Sequence, residues 1–201
     1  MTTGQDLLAL SPVMPVVVID DAADAVPTAR ALLAGGIGVI ELTLRTPAAL
    51  SAIERVAAEV PDIVIGAGTV TAPEHAKQAA DAGAKFLVTP GCTDAVVDAC
   101  FETGLPFLPG ASTVSEAMRL AERGLSALKF FPAEASGGVA YLKSIAGPLP
   151  SLKFCPTGGI TVASAPSYLA LPNVGCIGGS WLTASLEPAT IEKLAAEAAK
   201  L

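Results

Sequence analysis

Short apolar runs rich in β-branched residues alternate along the whole chain with alanine-rich stretches of helical spacing, and this alternation restricts the fold more than any other feature. The runs are Val13 to Ile19, Ile37 to Thr43, Ile63 to Ile65, Phe86 to Thr89, Phe107 to Leu108, Leu125 to Phe131, Leu152 to Cys155 and Val174 to Ile177. Each has strand length. The helical stretches are Ala22 to Ala34, Pro47 to Glu59, Pro73 to Ala82, Thr93 to Thr103, Val114 to Arg123, Val139 to Ile145, Val162 to Leu171 and Pro188 to Lys200, many closed by glycine. A helix between successive strands carries the chain back to start the next strand in the same direction, so the sheet must be parallel. Eight repeats without a long break predict an α/β fold, a single (β/α)8 TIM barrel occupying residues 1–201 as one domain. The alternative is an open doubly wound sheet. Its G-x-G-x-x-G is missing after the first run, which ends Val18-Ile19-Asp20-Asp21-Ala22. At 201 residues the chain is short beside the roughly 250 of a typical barrel, leaving little for lids or a second domain.

Composition narrows the chemistry. With 52% hydrophobic and 15% charged residues the chain should fold as a globule. It carries 12 Lys+Arg against 19 Asp+Glu, a net charge of −7, with no basic run, so neither nucleic acid nor an anionic membrane surface is an expected partner. The single histidine, His75, cannot build a His-rich zinc site. It lies in the polar helix start Pro73-Glu74-His75 and reads as a solvated surface residue, so no metal site is expected. The four cysteines (Cys92, Cys100, Cys155, Cys176) show no C-x-x-C spacing and are expected as free thiols in a reducing compartment. The first basic side chain is Arg30, so the charged start of a cleavable leader is lacking and a cytoplasmic location is expected. Residues 154–186 carry no Asp, Glu, Lys or Arg, but Pro156, Pro166, Pro172 and two Gly-Gly pairs break any spanning helix. That neutral stretch is buried or functional.

A barrel places its active site at the carboxyl ends of the strands. The second run, Val39-Ile40-Glu41-Leu42-Thr43-Leu44-Arg45, puts Glu41, Thr43 and Arg45 on one face by period-two alternation. An acid and a guanidinium there are either catalytic or an ion pair at the barrel mouth. The third run ends Gly66-Ala67-Gly68-Thr69, leaving space beside the backbone and a hydroxyl at the mouth. In the sixth, Ala127-Leu128-Lys129-Phe130-Phe131-Pro132, a lysine stands inside an otherwise apolar strand. The other lysines fall on helices or strand starts, where their charged ends reach water.

Desolvation at Lys129, with Arg45 possible as a neighbouring cation, favours a neutral and nucleophilic amine, the form a Schiff-base lysine requires. The competing reading is a buried Lys129–Glu41 salt bridge, since the second and sixth strands lie across a barrel from one another. The seventh run ends Thr157-Gly158-Gly159 and the eighth Gly178-Gly179-Ser180. Loops after the last two strands of a barrel commonly bind phosphate through backbone N–H groups, which needs glycine for close approach and no formal charge.

These motifs resemble the class I aldolases that cleave 2-keto-3-deoxy-6-phosphogluconate (KDPG), a family also active on 4-hydroxy-2-oxoglutarate (KHG). The landmarks are Pro15-Val16-Val17, Glu41-Leu42-Thr43-Leu44-Arg45-Thr46, Gly66-Ala67-Gly68-Thr69-Val70, Lys129-Phe130-Phe131-Pro132-Ala133-Glu134, Cys155-Pro156-Thr157-Gly158-Gly159-Ile160 and Cys176-Ile177-Gly178-Gly179-Ser180-Trp181. The resemblance implies Lys129 as Schiff-base lysine and Glu41 as general acid/base. It implies Arg45 and Thr69 as holders of the pyruvate carboxylate, Pro90 and Phe131 as pocket lining, and Gly158, Gly159, Gly179 and Ser180 as phosphate-binding positions. It further implies a small-molecule 2-keto acid substrate, no metal or organic cofactor, a homotrimer, and a place in the Entner-Doudoroff pathway. Ser136 and Ser164 stand where many members carry asparagine. Galactonate-specific relatives tend to carry an arginine after the first strand, where this chain has Val18-Ile19-Asp20, so the gluconate substrate is favoured. KHG as main substrate, and a non-catalytic phosphosugar-binding barrel, are the alternatives.

Overall fold

The computed structural model describes residues 3–201, so the first two residues of the expected 1–201 domain lie outside it. The chain opens with a short helix, α1 (Gly4–Leu8), which the strand-helix alternation does not anticipate. The signal was present in Thr3-Gly4-Gln5-Asp6: the Thr3 hydroxyl accepts from the Asp6 N–H and the Asp6 carboxylate accepts from the Thr3 N–H, a reciprocal capping box. So short a helix is marginal alone. It is held because Leu7 and Leu8 are buried, each worth about 1.5–3 kcal/mol. Gly4 lies against Ala127 and Phe107, and Leu8 against Gly175. α1 thereby lies at the amino ends of strands, leaving their carboxyl ends for chemistry.

The strands follow as β1 (Val13–Val17), β2 (Val39–Thr43), β3 (Val64–Gly68), β4 (Phe86–Val88), β5 (Phe107–Leu108), β6 (Gly110–Ala111), β7 (Ala127–Phe130), β8 (Lys153–Pro156) and β9 (Ile177–Gly179). The helices between and after them are α2 (Ala25–Ala34), α3 (Ala49–Glu59), α4 (Pro73–Asp81), α5 (Asp94–Glu102), α6 (Val114–Glu122), α7 (Gly138–Ile145), α8 (Ala165–Leu169) and α9 (Pro188–Ala198). Every strand pair is parallel, as the alternation requires. β1 and β2 are buried along their full lengths, which is why β1 reads as a continuous apolar run, while β2 buries Glu41 and Thr43 among its apolar residues.

The expected uninterrupted ladder of eight strands is not what the pairing shows. Six strands form one sheet in the order β5-β4-β3-β2-β1-β9, and three form another in the order β6-β7-β8. The fifth apolar run is β5 itself, and beyond it Pro109, which has no N–H to give to a ladder, separates β5 from β6, although its carbonyl still accepts from Lys129 N–H at 2.9 Å. On the other side, β8 and β9 meet only through isolated bridges, Phe154 with Val174 and Thr157 with Gly178. The architecture is an α/β fold with a parallel half-barrel sheet and a smaller parallel sheet beside it.

Helices pack outside the sheets. The carboxyl end of α2 meets α9 at Gly35, where a Cβ would collide with Ala195. The aromatic rings of Phe86, Phe130 and Phe154 and the side chain of Tyr168 are fully buried, and Phe130 stacks on Tyr141 with centroids 5.1 Å apart. All four cysteines are free. Burial, with a smaller contribution from Cys92, pushes the Cys100 thiol on α5 up to about 12.

The neutral Cys100 thiol is favoured in the folded chain, so its contribution to stability is complete below the ordinary thiol value of about 8.5 and is lost as pH rises toward the folded value. The thermal midpoint should therefore fall as pH is raised from about 9 to 12, and Cys100→Ala should flatten that fall. Identical alkaline slopes for the two proteins would contradict the assignment.

Candidate active site

Glu41 stands in the middle of β2 and is 2% exposed. Space for its carboxylate comes from β3, whose Gly66 and Gly68 pair with Glu41 and Thr43. A Cβ at Gly68 would overlap the Glu41 carboxylate, while the space beside Gly66 is filled by the Phe86 ring. Lys129 stands on β7, paired on one side with Gly110 and on the other with Cys155, and is 4% exposed. Its Nζ lies 3.0 Å from Glu41 Oε1 and 3.3 Å from Oε2. Two buried charges each cost several kcal/mol of lost hydration unless paired. The salt bridge of the competing reading is present, and it sets the Lys129 amine directly beside a carboxylate.

Arg45 is not the partner of Glu41. It lies exposed at the mouth, where its Nε donates to Thr69 Oγ1 at 3.1 Å. Thr69 has φ of +60°, the only described non-glycine residue with positive φ, and left-handed backbone is unfavourable for a β-branched residue. That backbone turn and the hydrogen bond from Arg45 set the hydroxyl beside the guanidinium. Arg45 also lines a cavity of roughly 130 Å³ with Phe131, Gly158, Gly159 and Ser180. Lys129 Nζ lies 5.9 Å from the Phe131 ring centroid, which links the ion pair to that cavity.

Three expected residues stand elsewhere. Thr69 reaches the cavity through its bond with Arg45. Gly179 is buried against the Trp181 ring, and Pro90 abuts Gly110, so neither lines the cavity. Val16, Thr157, Ile160 and Gly178 do line it. All four lie within the quoted motifs, and the close fit of Gly178 against the Thr157 side chain depends on the bridge that joins these two residues.

The sequence also gave no reason to place two thiols beside the ion pair. Cys155 and Cys176 are buried. A hydrogen bond from Cys176 draws the Cys155 thiol down against burial, with the Lys129 cation assisting; the same interaction and burial drive Cys176 up. Among the described residues no cluster of His, Cys, Asp and Glu could hold a metal ion. His75 is half-buried on α4, its Nδ1 accepting from Thr71 N–H at 3.4 Å, so the solvated-surface reading holds only in part.

A protein-family model described as KDPG and KHG aldolase matches residues 5–195. The chain is 52% identical over 180 residues to a 2-dehydro-3-deoxy-phosphogluconate aldolase of Pseudoalteromonas atlantica, covering 90% of this chain and 84% of the relative. It is 50% identical over 181 residues to the KHG/KDPG aldolase of Escherichia coli, covering 90% and 85%. The structure is similar to that of KDPG aldolase from Legionella pneumophila with pyruvate captured at low pH as a covalent carbinolamine intermediate. The TM-score is 0.96 and the identity 43%, with 98% of each chain covered.

Strain at Thr69 yields a prediction. Left-handed geometry at such a residue costs about 1–3 kcal/mol, which glycine would not incur. Thr69→Gly should leave the thermal midpoint unchanged or raised while turnover falls, as measured by calorimetry and a coupled pyruvate assay. A clear drop in midpoint would show that the strain is not there to be relieved.

Proposed function

The chain belongs to the KDPG and KHG aldolase family, and on that footing we propose that it cleaves KDPG to pyruvate and glyceraldehyde 3-phosphate, the Entner-Doudoroff reaction, through a Schiff base on Lys129. The observation that carries this reading is the buried Lys129–Glu41 pair with its Nζ–Oε1 distance of 3.0 Å. Glu41 accepts the lysine proton, and the neutral amine attacks the C2 ketone. The carbinolamine loses water with that proton returned, giving a protonated imine that serves as an electron sink. Glu41, directly or through one water, then removes the C4 hydroxyl proton. The C3–C4 bond breaks, its electrons forming the pyruvate enamine as the aldehyde leaves. Glu41 returns a proton to C3, and the water expelled earlier is replaced as hydrolysis of the imine frees Lys129. No step calls for a metal or organic cofactor.

The supporting groups divide between the two ends of the substrate. Arg45 offers a planar fork that matches a carboxylate bidentately, with the Thr69 hydroxyl beside it, and Phe131 supplies apolar surface. Gly158, Gly159 and Ser180, which line the cavity, receive the phosphate. Gly158 and Gly159 have φ of +104° and +80°, and such turns can direct backbone N–H groups at an anion.

The same reading extends to architecture and setting. The strand broken at Pro109 and the bridges between β8 and β9 support a closed (β/α)8 barrel forming one domain. No described helix is long and apolar enough to cross a membrane, and we assign the enzyme to the cytoplasm. The working form is a homotrimer, with neither nucleic acid nor membrane as partner. KHG is the second substrate to consider, because the Escherichia coli relative carries both substrates in its name.

Three measurements bear on this. Glu41→Gln should lower kcat by roughly 10²–10⁴-fold, the worth of general acid/base help, while imine formation with pyruvate persists in part; unchanged turnover would remove Glu41 from its role. For wild type, kcat/KM should be higher with KDPG than with KHG, and Ser180→Ala should lower the first alone. Sedimentation equilibrium should return the mass of a trimer, and a monomer would refute that assignment.

A further inference from the structure

We propose that Tyr168 and Glu134 form a strut that holds the Gly158–Gly159 turn in its anion-receiving shape, making them positioning residues that favour a phosphorylated substrate over an unphosphorylated one. This rests on the reading of that turn as the phosphate subsite.

The turn cannot hold its own shape. Two successive glycines in left-handed backbone lose more conformational freedom on ordering than any other pair, and Gly159 is exposed. The segment between β7 and α7 supplies the constraint. Ala133 N–H donates to Thr157 O at 2.8 Å and Glu134 N–H to Gly158 O at 3.1 Å, fixing the approach to the turn from one side. The Phe131 ring lies against Gly158, and the stem of Glu134 lies against Gly159 so closely that a Cβ there would stand 2.7 Å from Glu134 Cγ. The stem can serve as a floor only if its rotamer is fixed.

Tyr168 fixes it. Its hydroxyl donates to Glu134 Oε1 at 2.7 Å, and the tyrosine itself is fully buried on α8, downstream of the turn. The strut therefore ties the segment before the glycines in space to the helix after them in sequence, spanning the turn. The phenol oxygen is also confined by Gly138, where an added Cβ would lie 2.9 Å from it. Burial, with the Glu134 carboxylate, holds the phenol well above its ordinary value, so it remains a donor throughout the neutral range. The hydrogen bond has a second consequence. A carboxylate beside a phosphate subsite has the wrong sign, and an untethered Glu134 could swing toward the turn's N–H groups and compete for them.

Lys129 and Glu41 make no use of this strut, and a substrate without a phosphate gains nothing from the turn. Tyr168→Phe should raise KM for KDPG and weaken binding of inorganic phosphate, measured calorimetrically, by about tenfold, the scale of one hydrogen bond to a charged partner. Its kcat on KDPG, its kcat/KM on KHG and its rate of imine formation with pyruvate should stay within about twofold, a difference below half a kcal/mol on the RT scale. Glu134→Ala should reproduce the effect, and Glu134→Gln, which keeps an acceptor for the phenol, should restore most of the affinity. Equal losses on KDPG and KHG, no loss on either, or a Glu134→Gln no better than Glu134→Ala would overturn the strut. Phosphate binding does not involve the lysine: a wild type that binds phosphate but forms no imine refutes the Schiff-base reading alone, whereas one that does not bind phosphate refutes the strut.

Discussion

The pairing of Lys129 with Glu41 in the interior is the constraint around which the site is built. Neither charge could remain there alone, because an unpaired buried ion costs several kcal/mol of lost hydration. Glu41 is admitted by the missing side chain at Gly68, and Lys129 is held opposite it by the pairing of β7 with Gly110 on one side and Cys155 on the other. The parallel register sets where these residues fall. A one-residue slip would turn the acid or the amine to the other face of its strand.

From that pair outward the site grades from buried to exposed. Lys129 and Glu41 are buried; Phe131 is half-buried between them and the cavity; Arg45, Gly159 and Ser180 are open to solvent. A chain of net charge −7 can bind a substrate with two anionic ends because repulsion is settled locally. Arg45 and Lys129 provide positive charge at one end, and the uncharged stretch 154–186 provides backbone donors without bringing a carboxylate of its own. Glu134 is the exception close by, and its bond to Tyr168 keeps it engaged.

Much of this could be read from the residues, and the gaps have physical causes. Lys129 is conspicuous because a charge in an apolar strand needs a reason, and period-two alternation puts Glu41 on one face with Thr43 and Arg45. The helical stretches lie close to the observed helices because each follows a strand and many end near a glycine. The split at Pro109 was missed, although proline within a strand marks a broken ladder. α1 was missed because it stands outside the repeat, despite its capping residues. Nothing in the sequence announced the left-handed backbone of Thr69, since threonine is among the residues least expected there. Nor could it announce the Tyr168–Glu134 bond, which joins side chains 34 positions apart through a turn whose shape only the fold defines.

The central claim is that Lys129, and no other amine in the chain, forms the covalent bond to substrate. It is tested most directly by reducing the protein with borohydride in the presence of pyruvate and locating the adduct by peptide mass spectrometry. The account predicts one modified residue per chain, at Lys129, and no stable adduct in Lys129→Ala shown to be folded by circular dichroism. An adduct at another lysine, or one that survives in Lys129→Ala, would contradict it.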